Sequence, residues 1–400
     1  MRKRTKTSKK REKKKILKKR KRKSKKQKKK KSYFVEEKRR KKEKKRVRRK
    51  TKRKKEEKKE ITLILLKPPE NPIISPRPEN DWETWQTFNP GVILLEDKIH
   101  FLYRAIGNDG ISRLGYACSS DGFKIEERLS EPVYEHSLVN NFSFNYFSFA
   151  SGGSIGGCED PRLTRVNNED TIYMIYTACD QELRLALTSI KVRDFLNRKW
   201  RWKKPVFISP PGQIHKNWMI FPEKIKGYYA ILHSLNPKIS VNYFENLEFD
   251  GKTYINSCYM RQPQGSHWKW EGMIRGVGAV PLRVKDGWLI FYHAEDRLDP
   301  GKYKAGAMVL DFQDPSKILY YSPKPILEPS QDYENNGFKP GIVYISGAVI
   351  KGESLLIYYG GADSYVCVAW ANLDEFLAQM KRSIKPKLKR KVLKKRKIKK

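Results

Sequence analysis

Residues 97–104 read DKIHFLYR, and this pattern of a turn followed by a short aromatic and β-branched run recurs five times along the chain. Such runs are typical of β-strands. Their starts lie 57 to 73 residues apart, which suits a four-stranded unit with long loops. The other four runs are DTIYMIYT at 170–177, GYYAILH at 227–233, GWLIFYH at 287–293 and ESLLIYYG at 353–360.

A second short run follows each of these predicted strands. Because radial repetition leaves only short, protected sheet edges, the repeat predicts an all-β fold and, within that class, a five-bladed β-propeller. A sandwich or a jelly roll would also be all-β, but neither explains a fivefold repeat of paired strands. Only DEFLAQM at 374–380 has a helical pattern. The second runs are RLGYAC at 113–118, RLALTS at 184–189, ISVNYF at 239–244, AGAMVL at 305–310 and VCVAW at 366–370.

The ends of the five repeated strands predict where a ligand would bind. In a propeller, equivalent strand ends meet near the central channel, and a guanidinium and two imidazoles at one mouth suit a polar ligand. The fold alone does not name the function. The five strand ends and one residue just beyond them are Arg104, Thr177, His233, His293, Gly360 and Asp363.

The net charge of +42 is confined to the two ends of the chain. Residues 1–60 hold 39 Lys and Arg against 7 Asp and Glu, and residues 381–400 hold 13 basic residues and no acidic one. The part between them, 61–380, has 34 basic and 37 acidic residues, so it is not a basic nucleic-acid-binding fold. We predict disordered tails over 1–60 and 381–400, either solvated or bound non-specifically to nucleic acid or another polyanion, around one catalytic domain over 61–380.

The cysteines and the apolar runs of the sequence indicate the cellular compartment of the protein. Five widely spaced cysteines without a CxxC pair fit a reducing environment and argue against a disulfide framework or a zinc site. The sequence has no apolar run of about 18 residues, so we predict no membrane-spanning helix. No apolar stretch follows the basic start, so we predict no secretory signal. We therefore expect a cytoplasmic protein, with the tails as a nuclear signal in a eukaryotic host, and neither a metal nor an organic cofactor.

Residues 156–162, GGCEDPR, form the most informative motif. The two glycines permit close backbone approach, Pro161 stiffens the turn, and the carboxylates of Glu159 and Asp160 lie beside the guanidinium of Arg162. Such a loop can hold a carboxyl group whose pKa its neighbours determine. An Asp-Pro turn with a local ion pair is the alternative interpretation.

The sequence resembles glycoside hydrolase family 130, the β-mannoside phosphorylases and β-mannosidases, which are five-bladed propellers. The resemblance covers about 85–375 and depends on several motifs in a fixed order. They are FNPG at 88–91, YR at 103–104, GCEDPR at 157–162, FPEKI at 221–225, GVGAVP at 276–281, GWL at 287–289 with YH at 292–293, Tyr303 before GA at 306–307, and YGGAD at 359–363.

The resemblance implies roles for individual residues. Asp160 matches the family's general acid, which in the phosphorylases acts through a sugar hydroxyl. The resemblance also implies that cleavage inverts the configuration at the anomeric carbon. Asn89, Arg104, Tyr303 and Asp363 match positions that hold the mannosyl unit. We also expect Glu159, Arg162, His233 and His293 to contribute to substrate binding.

The identity of the nucleophile stays open at this point. The family's phosphate-binding positions correspond to Lys216, Ser234 and Arg275, and the serine cannot balance phosphate charge. Hydrolysis instead needs a general base for water. The candidates for that base are Glu223, Glu271 and Glu295, of which Glu271 and Glu223 are the main ones. Glu271 is expected on a loop that faces the channel, and the alternative interpretation is that it pairs with Arg275.

Three functions are therefore compatible with the sequence. We expect an enzyme that cleaves β-mannoside oligosaccharides, with hydrolysis slightly favoured. The alternatives are a β-mannoside phosphorylase, which would use inorganic phosphate as co-substrate and release mannose 1-phosphate, and a non-catalytic glycan-binding propeller. The pattern does not predict the linkage, the second sugar or the oligomeric state.

Overall fold

The computed structural model describes residues 44–46, 65–137, 152–257, 270–296 and 299–382. The chain divides into two compact units, residues 1–61 and residues 62–400. In the first unit the described residues, 44–46, are helical and exposed. Apart from these and residues 381–382, the two predicted tails lie outside the described residues, and their disorder stays a prediction.

The described part of the second unit is built mainly from β-strands, which confirms the all-β class. The strands are β1 (Gln86–Leu95), β2 (Lys98–Ile106), β3 (Ile111–Ser119), β4 (Glu127–Arg128), β5 (Gly156–Arg165), β6 (Thr171–Cys179), β7 (Leu183–Lys191), β8 (Val206–Phe207), β9 (Met219–Ile220), β10 (Tyr229–Ser234), β11 (Ser240–Phe244), β12 (Met273–Val277), β13 (Leu282–Val284), β14 (Gly287–Asp296), β15 (Asp299–Leu310), β16 (Ile318–Tyr321), β17 (Val343–Lys351), β18 (Ser354–Gly361) and β19 (Tyr365–Asn372). The helices are a 3₁₀ turn (Asp81–Glu83), α1 (Val192–Leu196), α2 (Asp332–Asn335) and α3 (Leu373–Arg382).

The strands follow one another in five antiparallel groups: β1–β4, β5–β8, β9–β11, β12–β16 and β17–β19. Each group contains one of the five predicted strand pairs, namely β2–β3, β6–β7, β10–β11, β14–β15 and β18–β19, so these ten strands are confirmed. Parallel pairing of β3 with β5 joins the first two groups into one sheet. The closure of the five groups into a propeller stays a prediction.

Turns with positive φ at two successive residues lie between β1 and β2 and between β5 and β6. Leu95 pairs with Lys98 across Glu96 and Asp97, whose φ angles are 47° and 60°. Asn167 and Asn168, between β5 and β6, have φ angles of 47° and 57°. Positive φ at both central positions defines the type I′ hairpin turn, whose twist matches that of antiparallel strands.

The first and last groups are in contact. The segment before β1 adds isolated bridges to β19, from Leu66 to Trp370 and from Ile74 to Val366. The Ser346 hydroxyl on β17 donates a 2.9 Å hydrogen bond to the carbonyl oxygen of Pro90 on β1. These contacts bring the last strand group beside the first. Strands β1–β3 and β17–β19 contribute side chains to one shared apolar core.

A shift of register interrupts the pairing in each of the five groups, and in three of them it falls at residues of chemical interest. The register shifts between Phe88 and Gly91 in β1, between Glu159 and Arg162 in β5 and between Ile274 and Gly276 in β12. A bulge re-aims the extra side chain and is common beside active sites. The re-aimed residues are Asn89, Asp160 and Arg275.

Gly157→Ala should lower the free energy of unfolding by about 3 kcal/mol. Gly157 pairs with Ser112 where β3 meets β5, and a Cβ there would lie 2.0 Å from the Ser112 carbonyl oxygen. Gly227→Ala is the matched control, because Gly227 also has a positive φ, 86°, but open space around the added atom. We expect the control to cost about 1 kcal/mol in urea denaturation. Equal losses would contradict the importance of the β3–β5 contact.

Candidate active site

A cavity of about 740 Å³ is lined by residues from all five strand groups. Asn89 and Arg104 come from the first group, and Asp160 from the second. The third group and the loop before it supply Lys216 and His233. The fourth and fifth groups supply Arg275, Glu295, Tyr303, Tyr344 and Asp363.

Asp160 lies in the bulge of β5, with a φ of 48°, and is 9% exposed. Positive φ is uncommon outside glycine, though Asp and Asn adopt it more readily than other residues, and Asn89 in the equivalent bulge of β1 has a φ of 45°. The Asn89 amide donates a 2.9 Å hydrogen bond to Asp160 Oδ1, and an Arg104 guanidinium nitrogen lies 3.4 Å from the same oxygen. Both donors therefore hold one oxygen of the carboxyl group.

Opposing effects act on the pKa of Asp160. Burial alone would raise it, but the positive charges of Arg104, Arg162 and Lys216, with the Asn89 hydrogen bond, together hold the pKa below its ordinary value. With these neighbouring charges, Asp160 is therefore ionised at neutral pH.

Glu159 and Arg162, expected to bind substrate, do not line the cavity, which corrects that prediction. Glu159 is fully buried and accepts a 2.8 Å hydrogen bond from Lys216 Nζ, while Arg104 lies 3.5 Å away. Arg162 donates to the carbonyl oxygen of Ser346 and to the Tyr344 hydroxyl. The β-bulge between Glu159 and Arg162 turns Asp160 toward the cavity, whereas Glu159 and Arg162 contact residues of its wall without lining it.

Of the two histidines predicted to bind substrate, only one lines the cavity. His233 lines the cavity, its ring held by Ser257 Oγ at 2.9 Å and Asn242 Oδ1 at 3.0 Å, and burial lowers its pKa. His293 does not line the cavity. It is fully buried, stacked on the Tyr344 ring at 4.1 Å, and burial with the charge of Arg162 lowers its pKa to about 3.

Tyr303, Arg275 and Glu295 form one wall of the cavity. Arg275 pairs with the Glu295 carboxylate, and its guanidinium carbon lies 5.4 Å from the centre of the Tyr303 ring. In the fifth group, Asp363 forms an ion pair with Lys339 at 3.1 Å.

The structure corrects the placement of the two glutamates proposed as bases. Glu271, expected on a loop facing the channel, is buried and accepts a hydrogen bond from the Tyr292 hydroxyl. Glu223 pairs with Arg283 on an exposed surface. Neither is among the described residues that line the cavity. The expected alternative partner of Arg275 was Glu271, but the structure pairs it with Glu295 instead.

Sequence reasoning missed several residues of the cavity wall, among them Asn217, Lys339 and Tyr344. Tyr344 donates a hydrogen bond to Asn217, whose φ of 65° is again positive. Lys339 reaches Asp363 from the loop after α2. The FKPG turn at 338–341 was the available signal for Lys339, whereas nothing local distinguishes Asn217 or Tyr344 from ordinary strand and loop residues.

Among the described residues, no group of three or more His, Cys, Asp and Glu side chains is placed to hold a metal ion. No helix in the described part of the chain has the length and apolar character needed to cross a bilayer.

A buried carboxyl group in one cavity with amides, cations and aromatic rings is typical of a carbohydrate-active enzyme site. The family model described as beta-1,4-mannooligosaccharide phosphorylase, that of glycoside hydrolase family 130, matches residues 52–382. The chain belongs to this family, and it is a glycosidase or a glycoside phosphorylase.

Characterised relatives and a solved structure resemble the chain over most of its length. A 1,2-beta-oligomannan phosphorylase of Thermoanaerobacter sp. (strain X514) is 33% identical, over 75% of this chain and 94% of the relative. A beta-1,2-mannobiose phosphorylase of the same organism is 32% identical, over 74% and 94%. The structure of beta-1,2-mannobiose phosphorylase from Listeria innocua, in complex with β-1,2-mannobiose, superposes with a TM-score of 0.61 at 24% identity, covering 80% of this chain and 99% of that one.

Proposed function

We propose that the chain is an inverting β-mannoside phosphorylase that acts on β-1,2-linked manno-oligosaccharides. The observation that carries the proposal is the pair of cations, Lys216 and Arg275, in the same cavity as the buried acid Asp160. The names of the two Thermoanaerobacter relatives support phosphorolysis and the β-1,2 linkage.

Asp160 supplies the proton to the leaving sugar. Because Asn89 and Arg104 both hold Oδ1, a proton is most stable on Oδ2, away from the two donors. The depressed pKa of Asp160 opposes this role as long as only the charges of the protein act on it. A bound phosphate dianion raises the pKa of a nearby carboxyl group, so the acid gains its proton when both substrates are bound.

Phosphate is the nucleophile in this proposal. One phosphate oxygen attacks the anomeric carbon from the face opposite the leaving group, and the glycosidic C–O bond breaks. The proton of Asp160 passes to the leaving oxygen through a sugar hydroxyl, and mannose 1-phosphate of inverted configuration is released. Lys216 and Arg275 would balance the phosphate charge, and Ser234, which also lines the cavity, would add one hydrogen bond.

The earlier preference for hydrolysis has less support than phosphorolysis. Its main candidate bases, Glu271 and Glu223, lie outside the cavity lining. Glu295 does line the cavity but is already paired with Arg275. Membership of an enzyme family also speaks against a non-catalytic glycan-binding propeller.

Three wider expectations accompany the proposal. We propose that the five strand groups close into a five-bladed propeller, since contacts between the first and last groups support a ring. We propose a cytoplasmic location. The basic tails would bind polyanions non-specifically, with affinity falling steeply as salt rises.

The function is tested by incubating the full chain with β-1,2- and β-1,4-mannobiose, each with and without inorganic phosphate. We expect mannose 1-phosphate from β-1,2-mannobiose in the presence of phosphate only. Free mannose released equally without phosphate would identify a hydrolase and reject the proposal. Intact disaccharide that nevertheless binds would favour the glycan-binding alternative.

Arg162→Met should move the alkaline limb of the pH profile of kcat/KM to higher pH. Removing this charge relieves one cause of the lowered pKa of Asp160, so the pKa rises and the proton-donating form persists to higher pH. Arg165→Met, three residues along the same strand, is the control, because Arg165 contacts the carbonyl oxygens of residues 168 and 169 and is absent from the causes acting on Asp160. A limb that stays in place in both variants would contradict the assignment of Asp160.

A further inference from the structure

The cations that line the described cavity already have carboxylate partners. Arg104 lies 3.4 Å from Asp160, Lys216 lies 2.8 Å from Glu159, and Lys339 lies 3.1 Å from Asp363. Arg275 pairs with Glu295. A phosphate dianion would add two negative charges to these balanced pairs. One cation must therefore exchange its carboxylate for phosphate.

The burial of each carboxylate determines which cation can exchange its carboxylate for phosphate at the lowest cost in free energy. The side chain of Glu159 is fully buried, and those of Asp160 and Asp363 are each 9% exposed, so a carboxylate displaced there would stay in the protein without water. In the fourth pair, Glu295 is 25% and Arg275 is 37% exposed. A displaced Glu295 carboxylate can therefore be hydrated.

The backbone around this pair allows a side-chain exchange on fixed strands. Glu295 lies on β14, paired with Met273 of β12 on one side and with Tyr303 of β15 on the other. Arg275 occupies the bulge of β12. Neither strand has to move for the Glu295 carboxylate to leave the guanidinium, since rotation about side-chain bonds is sufficient.

We propose that Glu295 is a specificity-determining residue that sets the affinity for phosphate by competing with it for Arg275. The inference rests on the proposed phosphorylase function. The carboxylate holds the guanidinium in place and at the same time excludes weakly bound anions. Phosphate, which carries more charge and offers the same planar arrangement of two acceptor oxygens, displaces it.

The test is Glu295→Gln in the full chain. The amide keeps the size of the side chain and one oxygen that can accept from Arg275, so the arginine stays in position while the competing charge is lost. We expect the KM for phosphate to fall about threefold to tenfold, as for loss of a partly exposed ion pair, with the KM for β-1,2-mannobiose unchanged. Phosphate titrated calorimetrically without sugar should bind more tightly by the same factor.

Two further variants make the result decisive. Glu248→Gln removes the same charge from an exposed pair with Lys203 and should leave both KM values as in the wild type. Glu295→Ser removes the charge without the amide and should also tighten phosphate binding. If wild-type protein forms mannose 1-phosphate but neither Glu295 variant binds phosphate more tightly, the inference is wrong while the function stands. If wild-type protein instead releases mannose without phosphate and Glu295→Gln abolishes this, Glu295 is a general base and both proposals fail.

Discussion

Asp160→Asn is expected to lower kcat for mannoside cleavage by about 10²- to 10⁴-fold, the usual contribution of a positioned general acid. The amide oxygen can still accept from Asn89 and Arg104, so the local hydrogen bonds and the fold should survive. The KM for the disaccharide should change little, since the proton transfer contributes to the transition state rather than to substrate binding. Initial rates of mannose 1-phosphate formation measure the effect.

The matched control is Asp170→Asn, an exposed aspartate immediately before β6. It removes the same charge from the same strand group and should keep the wild-type rate. Near wild-type activity in Asp160→Asn would reject the assignment of Asp160 as the acid. Thermal unfolding of both variants shows whether the fold is intact.

Arg104→Met should lower the free energy of unfolding by about 3 to 5 kcal/mol and abolish activity. Arg104 is 2% exposed and lies beside Glu159 and Asp160, whose charges would lose much of their compensation. Its guanidinium also donates to Ser112 and Ser154 and lies over the ring of Phe88 at 4.6 Å. Urea denaturation measures the loss.

Arg113→Met provides the comparison on the neighbouring strand. Arg113 pairs with Asp109 at 2.7 Å and with Glu135 at 2.9 Å, but both partners are well exposed and can be hydrated when the arginine is removed. We expect a loss of about 1 kcal/mol or less. Similar losses in the two variants would mean that burial of the carboxylates beside Arg104 contributes nothing to its importance.

The strand repeat was predictable because its causes are local. Alternating aromatic and β-branched residues favour strands, and turns such as those at 96–97 and 167–168 join neighbouring strands regardless of what lies elsewhere in the chain. The importance of GCEDPR was predictable for a similar reason, since its glycines, proline and adjacent charges form one short motif. The motif by itself indicated a loop that can hold a carboxyl group whose pKa its neighbours determine, and the family resemblance implied that this group is Asp160.

Which side chains line the cavity was not predictable in the same way. Glu159 and Asp160 are adjacent in sequence, yet one is buried behind the wall and the other lines it, because the bulge in β5 determines which side chain turns inward. Glu271 contacts Tyr292 instead of the channel for a comparable reason, since its direction depends on how the segment before β12 packs.

The sequence by itself therefore determined the all-β class and the five strand pairs, because hydrophobic alternation and turn chemistry act between near neighbours. The proposed role of Asp160 as the acid was implied by the resemblance to glycoside hydrolase family 130. Only the tertiary structure decided that Lys339 meets Asp363, that Lys216 meets Glu159 and that Arg275 meets Glu295. The partners in these pairs are 20 to 57 residues apart. Their contact depends on strand register and bulges, which tertiary packing determines.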